Sequence, residues 1–463
     1  MSVQKSKEQS NPLGTAPVGR LLVKLAVPCI LAQVVNALYN IVDRMYIGNI
    51  PDIGRDALTG VGVSFPLIII ITAFSGLVGM GGAPLAAIRM GQDDHEGAER
   101  ILGNCTTLLV LLSVVLTTVF ALFRDPLLYA FGASDQTIGY GSSYLGIYLI
   151  GTLFVQIAVG LNSFISTQGL AVFSMITVVI GAVLNIILDP IFIFGFGMGV
   201  PGAAVATVIS QGVSAVWVFC FLLSKRSRLK IRRRYLRPAV SVVRPVLSLG
   251  LSPFVMQSTE SLVAIALNSS LQRYGGDLAV GSMTIMTSVM QFVMLPLFGL
   301  VQGAQPIISF NYGAQKTDRV KRAFRLLLCC CLGYTIVFFA AVMLFPQGFI
   351  RLFNSDPELV DHTVWGIRIY FGAAFMLGAQ NACQQTFVAL GQARKSLMLA
   401  LLRKVVLLIP LVFILPHFFA DKVFAVILAE PVADFVATTV TLLVFAFSFS
   451  KILRVSAPSE RVE

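Results

Sequence analysis

Apolar segments long enough to cross a membrane recur along the whole length of this chain of 463 residues. A helix needs about 20 apolar residues to cross a hydrocarbon core of about 30 Å. A transmembrane barrel would instead show alternating strands of about ten residues, and the sequence lacks that pattern. Charged residues make up only 12% of the chain, against roughly 25% in soluble domains. The sequence therefore predicts an all-α polytopic membrane protein.

Hydropathy predicts twelve transmembrane helices. Their approximate limits are 21–43, 57–84, 101–123, 141–163, 170–196, 200–224, 247–271, 279–304, 324–346, 366–389, 397–418 and 423–449. Turn-forming residues separate several of these helices, as in residues 195–202, 274–277 and 354–357.

The distribution of lysine and arginine predicts the orientation. Segments that we assign to the cytoplasmic side carry 26 of the 34 basic residues, external loops carry 7, and Lys24 lies inside the first helix. This excess follows the positive-inside rule, so we expect a multi-pass protein of the cell (inner or plasma) membrane with both termini in the cytoplasm. The loop 225–244 has nine basic residues and no acidic one. We interpret it as an anchor to anionic lipid headgroups and expect no nucleic acid partner.

The two halves of the chain resemble each other. A shift of 222 residues aligns Pro84 with Pro306 and Tyr148 with Tyr370, and a shift of 225 aligns Pro28 with Pro253. The same shift of 222 aligns further pairs, among them Gly91 with Gly313, Arg100 with Arg322, and Gly169 with Gly391. Each half holds six helices, so the repeats are parallel. We predict an N-terminal domain at 1–224, a basic linker at 225–246 and a C-terminal domain at 247–463. Parallel repeats are typical of transporters that alternate access; the alternative is a duplicated bundle without a cavity.

Ionisable residues inside the predicted helices are functional candidates, because a charge at the bilayer centre costs about 2.5–3.5 kcal/mol on insertion scales. Five acids qualify: Asp43, Asp189, Glu260, Glu430 and Asp434. The basic residues Lys24, Arg44, Arg403 and Lys404 are predicted to lie toward helix ends. The interior is therefore acidic on balance, which favours a pathway for cations.

The first two acids have polar neighbours at helical spacing. Asp189 follows Asn185 by one turn, so both side chains point the same way. Asp43 ends the first helix, one turn after Tyr39 and Asn40. The alternatives are an interfacial pair between Asp43 and its neighbour Arg44, and a turn role for Asp189 beside Pro190.

Three other features leave their roles open. Pro28 kinks the first helix, either as a fixed packing feature or as a bend that switches. Glu260, with Gln257 among its polar neighbours, either lines a cavity or bridges neighbouring helices. Glu430 and Asp434, one turn apart, are either functional or near the outer water boundary. A carboxylate in a low-dielectric cavity binds a proton readily and, with other oxygens, ligates Na⁺ equally well, so the ion stays open.

The chain resembles the multidrug and toxic compound extrusion (MATE) transporters over essentially its full length. The resemblance rests on the stretches 37–48, 184–190 and 199–207, taken in order and at these spacings. It implies a V-shaped pair of six-helix lobes that exports amphiphilic, mostly cationic compounds such as drugs and toxins in exchange for H⁺ or Na⁺, with a role in antibiotic resistance. It also implies a cation-coupling set, a bending proline and a substrate pocket. These are Asp43, Asn185, Asp189 and Thr207 for the coupling cation, Pro28 for the bend, and Tyr39, Asn40, Gln257 and Glu260 for the pocket.

The resemblance has limits in the second half. Ala379, Gln380 and Asn381 stand where another branch of the family carries an acid, so we assign Glu260 to substrate rather than to a second cation site. The rival interpretation is a lipid-linked precursor flippase of the same superfamily, which would line its cavity with cationic residues. An enzyme is not expected, because three scattered histidines and no metal-binding or nucleophile motif are present. We expect a monomer that needs no cofactor, and no metal beyond Na⁺ at the cation set.

Overall fold

The computed structural model describes residues 11–353 and 356–455, and all regular structure in these ranges is helical. Twelve segments run through the protein in chain order. They are α1 Val18–Gly48, α2 Gly54–Gly91, α3 His95–Leu122, α4 Ile138–Ile150 with Thr152–Thr167, α5 Ala171–Pro190, α6 Val200–Leu223, α7 240–275, α8 277–313, α9 Thr317–Leu344, α10 Pro357–Tyr370 with Leu377–Ala389, α11 Ala393–Leu401 continued by Leu402–Leu408 and Ile409–Ile414, and α12 Lys422–Val455. Each predicted transmembrane helix has its counterpart among them.

The helices α7 and α8 follow each other with almost no connection. Together they form a helical run of 74 residues, Val240–Gly313, which at 1.5 Å per residue is about 110 Å long and far exceeds a bilayer. The run is broken at Gly276, whose φ of 63° suits a residue without a Cβ. The predicted turn at 274–277 therefore lies between two membrane-crossing helices. Within the described ranges, nine helices are long and apolar enough to cross a membrane, counting this run once, and the bent α4 brings the number to ten.

Two of the twelve helices are broken within their length. The two parts of α4 meet at Gly151 with a bend of 60°, and a Cβ at Gly151 would meet Val208 of α6 at 2.7 Å. In α10 the break falls at Gly372, followed by a short 3-10 turn at Ala374–Met376. The helices predicted at 141–163 and 366–389 are thus present, with a break that hydropathy does not indicate. The breaks occupy equivalent positions in the repeat, so α4 and α10 are matching elements of the two halves.

A short connection joins α5 to α6. After Pro190 the chain continues in a π turn, Ile191–Gly195, and α6 begins at Val200. Gly197 and Gly199, with φ of 64° and 60°, supply the positive φ that this tight connection requires. The predicted turn at 195–202 is confirmed. Of the predicted turn at 354–357, Asn354 and Ser355 lie outside the described residues.

The two halves form two lobes that contact each other toward one end. A Cβ on Gly81 of α2 would meet the backbone of Gly250 of α7 at 2.8 Å, and Gly303 of α8 packs on Ala26 of α1 in the same way. Small residues permit such close approach between helices. Toward the other end, Gly60 packs on Thr137 and Gly275 on Val423, contacts that stay within one lobe. The lobes therefore diverge and enclose a cleft that is open at one end.

A short segment before α1 is hydrogen-bonded to the opposite lobe. We name residues 11–17 the N-terminal strap. The carbonyl of Leu13 accepts hydrogen bonds from Asn311 Nδ2 at 2.9 Å and from Arg319 at 3.1 Å. The ammonium of Lys316 donates to the Gly14 carbonyl at 2.9 Å. The strap thus ties the start of α1 to the connection between α8 and α9.

The linker before α7 makes the reciprocal contact. We name residues 225–239 the linker strap. Arg232 forms an ion pair with Glu99 of α3, and the Tyr235 hydroxyl donates to Glu96 at 2.6 Å. Asn104 Nδ2 donates to the Tyr235 carbonyl at 3.0 Å. Each strap therefore holds the lobe that its own helix does not belong to, and both lie at the end where the lobes meet.

Part of the sequence-based account lies beyond this description. The basic residues Lys5, Lys7 and Arg461 are outside the described residues, as are both outer ends of the predicted domains. The division into 1–224, 225–246 and 247–463 stays a prediction.

Candidate cation and substrate sites

The four residues of the predicted cation set meet inside the first lobe. Helix α1 packs along α5, and α5 along α6. This packing brings Asp43 on α1 to Asn185 and Asp189 on α5 and to Thr207 on α6. All four are buried, with exposed fractions of 6%, 1%, 0% and 8% in that order. We name these residues the first-lobe site.

One amide links the helices of the first-lobe site. Asn185 Nδ2 donates to Asp189 Oδ1 at 3.2 Å and to Thr207 Oγ1 at 3.3 Å. The carboxyl groups of Asp43 and Asp189 lie side by side, close enough to share a proton in a hydrogen bond. The spacing of one turn between Asn185 and Asp189, which the sequence already shows, produces this geometry.

Three oxygens of the first-lobe site are buried without a hydrogen-bond partner among the described residues: Asp43 Oδ1, Asn185 Oδ1 and Asp189 Oδ2. A polar group that is buried without a partner costs free energy, and a buried charge costs more. A proton shared between the two carboxyl groups, or a small cation bound beside them, would lower this cost. Carboxylate, amide and hydroxyl oxygens are also the ligands that a hard cation prefers.

Aromatic hydroxyls surround the acids. Tyr39 and Tyr144 lie within electrostatic range of Asp43. The rings of Tyr144 and Tyr148 stack with centroids 6.4 Å apart, and the Tyr144 hydroxyl contacts Thr207. Sequence reasoning missed Tyr144 as a site residue. Its spacing of one turn from Tyr148 was the available signal, because Tyr148 is one of the residues that the repeat aligns.

The alternative of Asp43 paired with Arg44 is met only at a distance: Arg44 acts electrostatically on Asp43 but forms no ion pair with it. The guanidinium of Arg44 lies over the ring of Phe65, 4.3 Å from its centroid, and the ion pairs in the described part of the chain do not join it to Asp43. The carboxylate of Asp189 likewise points to Asn185 and Asp43 rather than serving the turn that follows it.

The second lobe contains a cluster of five charged residues. Lys404 on α11 forms an ion pair with Glu260 on α7. Arg403 pairs with Asp434 on α12 at 2.6 Å and lies 3.6 Å from Glu430. We name Glu260, Arg403, Lys404, Glu430 and Asp434 the second-lobe charge cluster. Tyr370, the counterpart of Tyr148, lies within electrostatic range of all three acids.

This cluster corrects one expectation and bears on an alternative that the sequence left open. Arg403 and Lys404 do not lie at a helix end in water; their side chains are only 15% and 6% exposed. They belong to the π turn Leu402–Leu408, whose wider winding lets two neighbouring residues face the interior. Glu430 and Asp434, for which the sequence left a place near the outer water boundary open, are buried within the lobe, with 7% and 2% exposed. Hydropathy depends only on neighbours along the chain, so it cannot detect ion pairs between residues on different helices of the lobe.

The predicted pocket residues divide between the lobes. The Gln257 side chain faces Gly76 of α2, 3.8 Å from where a Cβ would stand, close to the ring contact between Phe74 and Phe254 at 4.8 Å. Glu260 follows Gln257 by one turn and has a side chain that is 64% exposed. Gln257 therefore lies where the two lobes contact each other, at the floor of the cleft. Glu260 lies one turn farther along α7, on the wall of the cleft.

On the first lobe, the other two pocket residues behave differently from each other. Tyr39 joins the first-lobe site. The side-chain amide of Asn40 donates a hydrogen bond to the Asn36 carbonyl of its own helix at 2.7 Å. Pro28 lies inside α1 and is buried, two residues from the contact between Ala26 and Gly303. Pro28 therefore lies where the lobes touch.

Comparison with known proteins agrees with this architecture. A family model described as MatE matches residues 28–191 and again residues 253–414, beginning at the two prolines that the repeat aligns. The chain is 26% identical over 433 residues to the Multidrug export protein MepA of Staphylococcus saprophyticus, covering 91% of this chain and 93% of that protein. It is 24% identical over 420 residues to the protein of the same name from Staphylococcus haemolyticus, covering 90% and 92%.

Solved structures match over nearly the whole chain. A crystal structure of MATE in the bent conformation aligns with a TM-score of 0.90 at 24% identity, covering 97% of this chain and 99% of that one. An outward-facing multidrug resistance MATE family transporter of the MOP superfamily aligns with a TM-score of 0.89 at 24% identity, covering 96% and 98%. At this identity the likeness concerns the fold, which is that of twelve transmembrane helices in two lobes.

Proposed function

The chain belongs to the MatE family, whose members are membrane transporters and not enzymes, and on that premise we propose that it is a secondary active antiporter. It exports amphiphilic, mostly cationic small organic compounds, drugs and toxins among them, in exchange for H⁺ or Na⁺ by alternating access. It works as a monomer in the cell membrane, surrounded by lipid, with both termini in the cytoplasm.

The observation that carries this proposal is the first-lobe site. Two carboxylates lie side by side in a buried position, and three oxygens have no partner among the described residues. Arg44 lies over the ring of Phe65 and forms no ion pair with these acids among the described residues. Such a pair is tolerable in a membrane when it loads a proton or Na⁺ and releases it again. The names of the MepA relatives support export of multiple drugs.

The cleft supports the direction of transport. Its closed end is the end that carries both straps and the basic linker, which the positive-inside rule assigns to the cytoplasm. The open end then faces outward, and the exposed Glu260 carboxylate suits a cationic substrate. Cation binding at Asp43 and Asp189 bends α1 at Pro28, reduces the space in the first lobe and expels the substrate.

The flippase alternative is not favoured. A cavity for a pyrophosphate group needs cationic residues that face it, whereas Lys404 and Arg403 are buried behind Glu260 and paired with acids. In the ion pair of Lys404 with Glu260, the exposed member is the Glu260 carboxylate.

The test is efflux of a fluorescent organic cation from proteoliposomes under imposed gradients. We expect efflux to follow an inward gradient of H⁺ or of Na⁺ when the two gradients are set separately, and the effective gradient identifies the coupling ion. Vesicles without protein are the control. Efflux that ignores both gradients would contradict antiport, although it would leave the family assignment untouched.

A further inference from the structure

The second-lobe charge cluster is one positive charge short. It contains three carboxylates, Glu260, Glu430 and Asp434, but only two cations, Arg403 and Lys404. Buried charges are stable when each is paired. A proton on one of the acids, or one further monovalent cation, would therefore complete the cluster.

The carboxylate that lacks a close partner is Glu430. Arg403 donates to Asp434 at 2.6 Å but is 3.6 Å from Glu430, which is beyond hydrogen-bond range. The ammonium of Lys404 acts electrostatically on Glu430 as well as pairing with Glu260. Lys404 therefore interacts with two acids and pairs with one of them, and a lysine side chain is flexible enough to change its partner.

The two ends of the Lys404 ion pair face different surroundings. The Glu260 side chain is 64% exposed on the wall of the cleft, whereas the Lys404 side chain is 6% exposed behind it. A cation that enters the cleft reaches the carboxylate directly. It meets the ammonium of Lys404 only as a competitor for the same oxygens.

A second polar group beside the ion pair also lacks a partner. Lys404 donates to the Met256 carbonyl at 3.3 Å, and the Met256 sulfur accepts from Gln384 at 3.1 Å. Gln380 donates to Gln384 at 3.4 Å. Gln380 is 2% exposed, and its Oε1 has no partner within the described ranges. This row of side chains ends in a buried acceptor that a polar ligand group would satisfy.

The first lobe offers an internal comparison. In the first lobe, Tyr39 and Tyr144 lie within electrostatic range of Asp43, and the ion pairs among the described residues give its acids no paired base. In the second lobe, Tyr370 lies within electrostatic range of three acids, and two bases pair with these acids. The first lobe must receive its cation from solution. The second lobe carries its own.

We propose that Lys404 is a tethered counter-ion that occupies the place of a substrate cation at Glu260. A monovalent organic ammonium or phosphonium entering the cleft replaces the Lys404 ammonium at Glu260, and the displaced ammonium moves to Glu430. The bound state is then neutral, with three acids facing two side-chain cations and one ligand cation. This inference rests on the proposed function in one respect, that the substrate is cationic.

The test measures binding, not transport, on the purified full chain in detergent. The probe is tetraphenylphosphonium, and its neutral counterpart is triphenylphosphine oxide. Lys404→Met removes the competitor and is expected to lower the Kd of the phosphonium about tenfold while leaving the Kd of the oxide within threefold. Lys24→Met, at an exposed lysine of α1, is the matched control and is expected to behave as wild type.

A second variant moves the affinity in the opposite direction. Glu430→Gln removes the destination of the displaced ammonium, so the Kd of the phosphonium is expected to rise about tenfold. In the double variant with Lys404→Met this loss is expected to disappear, because no ammonium remains to be displaced. A purely structural cluster would weaken binding in both single variants.

Two results overturn the inference: a Kd for Lys404→Met that is unchanged or higher, or a Kd for Glu430→Gln that is unchanged or lower. If Lys404→Met does not elute as a single species, the Glu430→Gln measurement decides. Binding needs no gradient, so a failure of gradient-driven efflux in vesicles would leave this result standing. An unaltered Lys404→Met affinity would in turn leave the antiport proposal standing.

Discussion

Asn185 determines how the first-lobe site is organised. Its amide nitrogen holds Asp189 and Thr207 in fixed positions, while its amide oxygen is buried without a partner in the described structure. The residue thus orients one ligand, anchors another and offers a third oxygen of its own. An aliphatic side chain at this position would remove all three contributions.

We expect Asn185→Ala to weaken the coupling cation and not the substrate. The concentration of H⁺ or Na⁺ that gives half-maximal efflux should rise at least tenfold, with the Kd of an organic cation changing less than threefold. Asn49→Ala is the control, because Asn49 is exposed at the end of α1 and bonds only the Met45 carbonyl at 2.7 Å. An unchanged half-maximal cation concentration for Asn185→Ala would remove this residue from the site.

At the scale of single elements, α1 connects the two functions of the molecule. It carries Asp43 in its second half, and Pro28 at the level where Ala26 contacts Gly303 of α8. A proline inside a helix removes one backbone hydrogen bond and leaves a bend that tilts without further loss. A change of helix shape at Pro28 therefore displaces Asp43 relative to the contact between the lobes.

Pro28→Ala separates a switching bend from a fixed kink. We expect the variant to be thermally more stable, since proline costs about 3 kcal/mol in a helix interior, and to export at least fivefold more slowly. Melting temperature and initial efflux rate are the two readouts. Pro253→Ala, at the aligned position of α7, is the matched control and should raise the melting temperature with little loss of rate. Full export by Pro28→Ala would identify the kink as a packing feature.

The elements also show where sequence reasoning succeeds and where it stops. The twelve helices follow from hydropathy, and the meeting of Asn185 with Asp189 follows from helical spacing. The breaks in α4 and α10 were not predicted, because they depend on contacts such as that of Gly151 with Val208, which lie far apart in sequence. The pairing of Lys404 with Glu260 spans 144 residues, and no local pattern records it.

At the scale of the whole molecule, two reciprocal straps close the end where the lobes meet. The N-terminal strap is held by Asn311, Lys316 and Arg319, and the linker strap by Glu96, Glu99 and Asn104. Under the proposed alternating access this end has to open, so contacts of both straps would break in each cycle. The straps would then set the stability of the state in which this end is closed.

Weakening the N-terminal strap is expected to shift the molecule toward opening at this end. Arg319 donates to the carbonyls of Leu13 and Ala16, the latter at 2.6 Å, and Arg319→Gln removes this grip. Hydrogen exchange followed by mass spectrometry should show amides of residues 13–21 exchanging several-fold faster than in wild type. Arg322→Gln, at an exposed neighbour on the same helix, is the control. Equal exchange in the two variants would show that the strap does not hold the lobes together.

The account as a whole depends on the pair of buried acids in the first lobe. Its most direct test compares wild type, Asp43→Asn and Asp189→Asn in proteoliposomes under the coupling gradient, with the exposed Asp56→Asn as control. Each site variant is expected to keep the Kd of an organic cation within threefold and to lose at least nine-tenths of the gradient-driven efflux. Efflux at the wild-type rate from both Asp43→Asn and Asp189→Asn would contradict the proposed coupling.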